Sequence, residues 1–167
     1  PGAEAGADAT ADAAQAKKVE AYIPSDNDVP GWTEDTTKGK PGVEAAYDKK
    51  GIEDLINGKH DPYHAEGTDG FAMEHYKKDF GGGCTGTIKF MMWDMTKAAS
   101  AKKMFEKAKK DGETMAGLTF EEIKSVKDRG IIAFDAVFEA HAYKNDYVMI
   151  LTAMPTGDAA CKSSVKA

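Results

Sequence analysis

Several features that would identify a function are missing from this chain. No apolar run approaches the length of about 20 residues that a membrane-spanning helix needs, and the longest candidate is Tyr147–Met154. There is no Gly-x-Ser-x-Gly nucleophile elbow, and the glycine run Gly81–Gly83 lacks the Lys-Ser/Thr of a phosphate-binding loop. We therefore expect no spanning helix, no phosphate-loop chemistry and no catalytic set that a motif can identify.

Cysteine is scarce, with only Cys84 and Cys161 in 167 residues. The two lack the spacing of a metal-ligand set or a CxxC redox motif, which leaves a disulfide or two separate buried thiols. A bridge would close a loop of about 77 residues, which contributes roughly 4 to 5 kcal/mol in the chain-entropy model. We expect the bridge, and with it an oxidising compartment.

Basic residues are outnumbered, with 22 Lys and Arg against 28 Asp and Glu and a formal net charge of −6. Phosphate backbones repel such a chain, so no nucleic-acid partner is expected. The segment Lys97–Lys110 is the exception, since it holds a single acid, Glu106, among six lysines. These lysines either dock an acidic partner or lipid headgroup surface, or form a solvated helix face. The predicted docking set is Lys97, Lys102, Lys103, Lys107, Lys109, Lys110 and Trp32.

The N-terminal segment is rich in alanine, glycine and aspartate and buries too little apolar surface to fold alone. We interpret residues 1–18 as a tether, although Ala9–Val19 can also form a helix against a partner. The chain starts at Pro1 without an initiator methionine, which indicates a processed, exported protein. Either an ordinary leader has been removed or a lipidated cysteine precedes Pro1. One α+β domain is predicted over residues 19–158, with a tail at 159–167.

Hydrophobic periodicity predicts an antiparallel sheet of about five strands with helices packed on one face. A loop over Ile23–Lys40 is anchored by Trp32, and a short helix lies within Glu44–Asn57, followed by a polar loop. A second helix follows an N-cap at Thr96 and buries Ala98, Ala101, Phe105 and Ala108. The predicted strands are Gly70–Lys78, Thr85–Met95, Phe120–Val126, Ile131–Tyr143 and Tyr147–Met154.

Metal-capable side chains are densest between His60 and His75. Histidines four apart share one side of a helix and can hold one metal ion, but Pro62 lies between His60 and His64. The alternative is a polar surface loop. The candidate ligands are His60, His64, Glu66, Asp69 and His75, and no resident cofactor is expected.

Two smaller constellations have a structural and a functional interpretation. Asp26, Asn27 and Asp28 resemble the start of a calcium loop, but turn chemistry explains them without a metal. Glu139 and His141 lie two apart in a predicted strand and point the same way, either as an acid–base pair or as the solvated face of a sheet.

The element Leu55-Ile56-Asn57-Gly58, followed by Tyr63, a strand with Tyr76, Asp94-Met95 and an alanine-rich helix, resembles an uncharacterised family of exported bacterial domains. That family often has Tyr-Ile-Asn-Gly at this point, and Leu55 replaces the tyrosine here. The resemblance covers roughly residues 22 to 155. It implies a location in the cell envelope and no activity or catalytic residues.

The sequence leads us to expect a non-catalytic accessory or interaction subunit of a bacterial envelope complex, in the periplasm or on the outer face of a membrane. Its partners would be other protein subunits, and a lipid anchor or a partner would hold it at the membrane. A periplasmic domain that binds a small ligand or metal is the alternative. An enzyme whose site is assembled around His64, His75 or His141 is the third.

Overall fold

The computed structural model describes residues 19–58, 60–114, 120–122, 131–134, 138–156 and 161. These residues form one antiparallel sheet and three helices. In chain order the elements are β1 (Thr33–Glu34), β2 (Glu44–Ala46), α1 (Lys49–Ile56), α2 (Asp61–Glu66), β3 (Thr68–Gly81), β4 (Cys84–Met95), α3 (Ala98–Thr114), β5 (Phe120–Glu122), β6 (Ile131–Phe134), β7 (Phe138–Lys144) and β8 (Tyr147–Thr156).

The sheet has the order β1-β3-β4-β8-β7-β6-β5, and β2 also pairs with β3. Its centre is the long hairpin of β3 and β4, in which Phe71 lies opposite Trp93. The outer edge of β3 is shared by two short strands, since Glu34 of β1 lies opposite Tyr76 and Ala46 of β2 lies opposite Phe71. The α+β class and the antiparallel sheet with helices are therefore confirmed, although eight strands form it rather than about five.

The two faces of the sheet follow from the alternation of side chains along each strand. The helix face carries Phe71, Met73, Trp93, Val148 and Ile150, and its core includes Ile52 of α1 together with Ala101 and Met104 of α3. The opposite face, which we call the groove face, carries Ala72, Tyr76, Phe90, Met92, Met149 and Leu151. The third helix, α2, packs on the same face, because its Tyr63 stacks on Trp93 with ring centroids 3.9 Å apart. All three helices therefore lie on the helix face.

Cys84 and Cys161 form a disulfide, as the sequence predicts. Their Cα atoms are 5.4 Å apart, within the ordinary range for a bridge. Cys161 is buried, so the bridge places it against the start of β4. A disulfide is typical of exported proteins. No helix among the described residues has the length and apolar composition required to cross a bilayer.

Three predictions about local structure are wrong. The polar loop predicted after Gly58 contains α2, because Pro62 lies in the first turn, where a missing N–H and a fixed φ favour a helix. The single strand predicted over Ile131–Tyr143 is two strands, β6 and β7, that pair antiparallel. Thr96 is not the N-cap of α3, since its hydroxyl donates to Asp69 Oδ1 at 3.1 Å and the helix begins at Ala98.

Two side chains of the predicted inward stripe of α3 are less buried than predicted. Ala98 is exposed and Ala108 is half-buried, whereas Ala101 and Phe105 are buried as expected. The predicted tether at 1–18 lies outside the described residues, as does most of the tail at 159–167.

Candidate binding face of the sheet

The groove face is apolar along its two central strands. In β4 the side chains of Ile88, Phe90 and Met92 point to this face, and in β8 those of Met149 and Leu151 do. The same strands are also apolar on the helix face, with Met91 and Trp93 in β4. A strand that is apolar on both sides needs cover on both sides, and α1, α2 and α3 cover only the helix face. On the groove face the helical residues Val19 and Glu20 begin the cover.

The cover comes from the segment of residues 19–32, which crosses the groove face before β1. Val19 is fully buried at one end, and the rings of Tyr22 and Tyr147 lie 4.9 Å apart. Further along, the Tyr76 hydroxyl donates to the carbonyl of Pro24 at 2.5 Å. We call residues 19–32 the crossing segment.

The far end of the crossing segment is fixed to the tip of β3. Lys78 Nζ donates to the carbonyl of Pro30 at 2.9 Å, and Trp32 packs edge-on against Phe80 with ring centroids 6.0 Å apart. The predicted ordered loop anchored by Trp32 is therefore present. Its path is set by contacts between residues about 50 positions apart in sequence, such as that of Lys78 with Pro30.

Two grooves lie between the crossing segment and the sheet. The first has a volume of about 250 Å³ and lies between Tyr22 and the β7–β8 hairpin, over Met92 and Met149. The second has a volume of about 160 Å³ and lies under Val29 and Trp32, over Phe90 and Leu151. Because Met92 and Phe90 are successive residues on this face of β4, the two grooves follow one line along the sheet.

Acidic groups lie near the second groove, since the charges of Asp26 and Asp28 raise the pKa of Tyr76, which lines it. Asp26 Oδ1 accepts from the Glu34 amide at 2.6 Å, and Asp28 Oδ2 accepts from the Ser25 amide at 2.7 Å. These bonds hold both exposed carboxylates in place. Hydrogen bonds from backbone amides therefore account for these aspartates without a calcium ion. No group of three or more His, Cys, Asp or Glu side chains in the described part of the chain is placed to hold a metal ion.

A buried carboxyl group lies near these acidic groups. Glu74 is 9% exposed on the groove face, and burial raises its pKa above the usual range. The nearby Glu34 and Asp26 raise this pKa further, while the Tyr76 hydroxyl, 3.2 Å from Glu74 Oε2, opposes the shift. Burial likewise raises the pKa of the Tyr76 hydroxyl, which therefore stays protonated as a hydrogen-bond donor.

The five predicted metal ligands do not form one cluster. Glu66 forms an ion pair with Lys103 at 2.5 Å, and Asp69 accepts from Thr96. His75 lies on β3, where burial and then the charge of Lys89 lower its pKa. Only His60 and His64 are brought together, with ring centroids 5.4 Å apart.

The predicted docking set is divided between opposite sides of the molecule. Trp32 lies on the groove face, whereas the six lysines belong to α3 and the residue before it, on the helix face. Within this set, Lys103 forms an ion pair with Glu66 and Lys107 forms one with Asp111. The set is therefore not one surface, and its member Trp32 lines the second groove.

Glu139 and His141 do point the same way, with His141 Nε2 2.5 Å from Glu139 Oε1. His141 is 7% exposed, so the pair is not a fully solvated face of the sheet. Tyr63 is close enough that the charge of Glu139 adds to burial in raising the pKa of its hydroxyl. The pair therefore joins a buried histidine to a carboxylate that is 41% exposed.

Comparisons of the chain with protein-family models, with curated proteins and with solved structures find no match. The family resemblance carried by Leu55–Gly58 stays a prediction.

Sequence reasoning identified Trp32 but missed Tyr22, Val29, Met149 and Leu151. A sequence feature that could have found the face is the unbroken apolar run Phe90–Trp93, which predicts that β4 is covered on both sides. The exposed apolar side chains also mark the groove face, since Tyr22 is 52% and Val29 55% exposed.

Proposed function

We propose that this chain is a non-catalytic interaction subunit of a bacterial cell-envelope complex, and that its groove face binds an amphipathic helix of a partner protein. The observation that carries the proposal is the line of two apolar grooves along β4 and β8, with two fixed carboxylates near the second groove. The disulfide supports a location outside the cytoplasm, in the periplasm or on the outer face of a membrane.

The dimensions of the grooves favour a helix. From Ile88 to Met92 the strand advances roughly 13 Å at about 3.3 Å per residue. An amphipathic helix with apolar side chains at i, i+4 and i+7 spans roughly 10 Å, and helix-in-groove binding uses anchors of this spacing. One such helix would place an anchor in each groove.

The charge near the second groove favours a partner with basic residues beside its anchors. Asp26 and Asp28 are exposed and held by backbone amides, so they meet a cation without further ordering. The chain also has a net charge of −6. Lys78 is a nearby base, but it already donates to Pro30.

The proposal is tested by photo-crosslinking in the source organism. Benzoylphenylalanine replaces Val29, beside the second groove, or Val43, which is exposed but lines neither groove. We expect one stoichiometric partner to crosslink at position 29 and not at position 43. Equal crosslinking at both positions, or none at either, would contradict the proposal.

Charge is tested by a matched pair of variants. Asp28→Asn keeps the acceptor for the Ser25 amide and removes the charge, whereas Asp48→Asn does the same at the N-cap of α1, where Asp48 accepts from Gly51 at 2.7 Å. We expect Asp28→Asn to reduce crosslinking at position 29 and Asp48→Asn to leave it unchanged. A small apolar molecule retained in native mass spectrometry, with no protein partner, would instead favour the ligand-binding alternative.

A further inference from the structure

Two histidines at the start of α2 lie side by side, on the side of the sheet away from the grooves. His60 immediately precedes the helix and has helical backbone angles, with φ −85° and ψ −24°. The His64 amide donates to the His60 carbonyl at 3.1 Å, so the two residues are one helical turn apart. Their ring planes are 75° apart.

One nitrogen on each ring is buried without a hydrogen-bond partner among the described residues. These are His60 Nδ1 and His64 Nε2. His60 as a whole is only 5% exposed. An unsatisfied buried polar group is costly, so two such atoms in adjacent rings indicate a missing ligand.

The neighbouring carboxylate fixes which nitrogen of His60 is available. His60 Nε2 lies 3.4 Å from Asp61 Oδ1, an arrangement that favours the proton on Nε2 and leaves the lone pair on Nδ1. Histidines that bind metals usually have a carboxylate beside their other ring N–H, and here that carboxylate lies at ion-pair distance. Asp61 is itself 3.6 Å from Lys49 Nζ.

The ring separation matches a shared ion. Two imidazoles bound to one tetrahedral zinc at about 2.0–2.1 Å have ring centres roughly 5 Å apart. The observed separation is 5.4 Å.

We propose that His60 Nδ1 and His64 Nε2 bind one late transition-metal ion, with water completing its coordination. Imidazole nitrogen suits zinc, nickel and copper, and affinity rises towards copper. Asp61 positions the His60 ring and is not itself a ligand. This site is independent of the proposed partner face, because α2 packs on the helix face.

The test is a titration of the metal-free full chain with nickel chloride and, separately, with zinc chloride at pH 7.5. Calorimetry gives the stoichiometry, and the fluorescence of Trp93 reports nickel, because Tyr63 of α2 stacks directly on this indole. A Trp32→Phe background isolates that signal, since the chain has two tryptophans. We expect one equivalent of metal and quenching of Trp93 by nickel.

Variants separate this site from other histidines. His64→Gln should weaken nickel binding at least 10-fold, and Asp61→Asn, which keeps both rings, should weaken it about 10–100-fold. His75→Gln, on β3, should leave it unchanged. Circular dichroism of each variant checks the fold. The proposal is overturned if the chain binds neither metal, if His64→Gln binds as tightly as the wild type, or if His75→Gln abolishes binding.

Discussion

Removing the Cys84–Cys161 bridge should destabilise the chain through its unfolded state. The sequence separation is 77 residues. For a loop of that length the chain-entropy model gives about 4.5 kcal/mol at 25 °C. For a chain of this size, that loss corresponds to a fall in Tm of roughly 9–18 °C.

The location of the bridge explains why the native state should change little. Strands β4 and β8 already pair up to Thr85 and Thr156, so hydrogen bonds hold the two ends of the loop close together without the disulfide. In the unfolded chain only the disulfide does so. The denaturant slope m should therefore increase when the bridge is removed, because the unfolded state becomes more expanded.

The assay is urea unfolding of the oxidised wild type and of the Cys84→Ser/Cys161→Ser double variant, followed by fluorescence and circular dichroism. Reduced wild type should match the double variant, and reductant should not affect the variant. The reasoning is refuted if the loss is below about 1 kcal/mol with an unchanged m, since the entropy model then does not describe this loop.

Three further outcomes follow from burial and backbone geometry. Ile52→Ala should lower the free energy of unfolding by about 2–5 kcal/mol, because Ile52 is 1% exposed in the core, whereas Leu55→Ala, at a half-buried position, should cost less in the same urea titration. Since burial raises the folded-state pKa of Glu74, the wild type loses stability as pH rises from the unfolded pKa through the folded one. The melting temperature of Glu74→Gln should therefore be higher than that of the wild type at pH 7 but not at pH 4. The reverse result would contradict a raised pKa for Glu74. Gly67→Ala should destabilise more than Gly42→Ala, because both glycines have positive φ but only at Gly67 would the new Cβ lie 2.8 Å from another atom, Thr96 Oγ1.

The sheet could be predicted where side-chain alternation is strong. The strands β3, β4 and β8 and the bridge all follow from the sequence. The division of Ile131–Tyr143 into two strands could not be predicted, because the segment contains no glycine or proline to mark a turn. The sequence pattern does not decide the helix after His60, because a proline such as Pro62 breaks a helix in its interior but favours its first turn.

The candidate site could be predicted only in part. The apolar run Phe90–Trp93 is visible in the sequence, but the path of the crossing segment decides which side chains it covers. That path depends on contacts such as the one between Tyr76 and Pro24, 52 residues apart, and no local pattern encodes it. The histidine pair was found by its spacing, whereas its unpartnered nitrogens required coordinates.

The two short strands on the outer edge of β3 have a consequence for how the protein avoids aggregation. A bare edge of 14 residues would be a template for pairing with a second chain and for aggregation. Here β2 occupies the edge at Ala72 and β1 occupies it at Lys77, each for only two or three residues. Neither short strand offers a long continuous edge in its turn, so this side of the sheet is protected against edge-to-edge association.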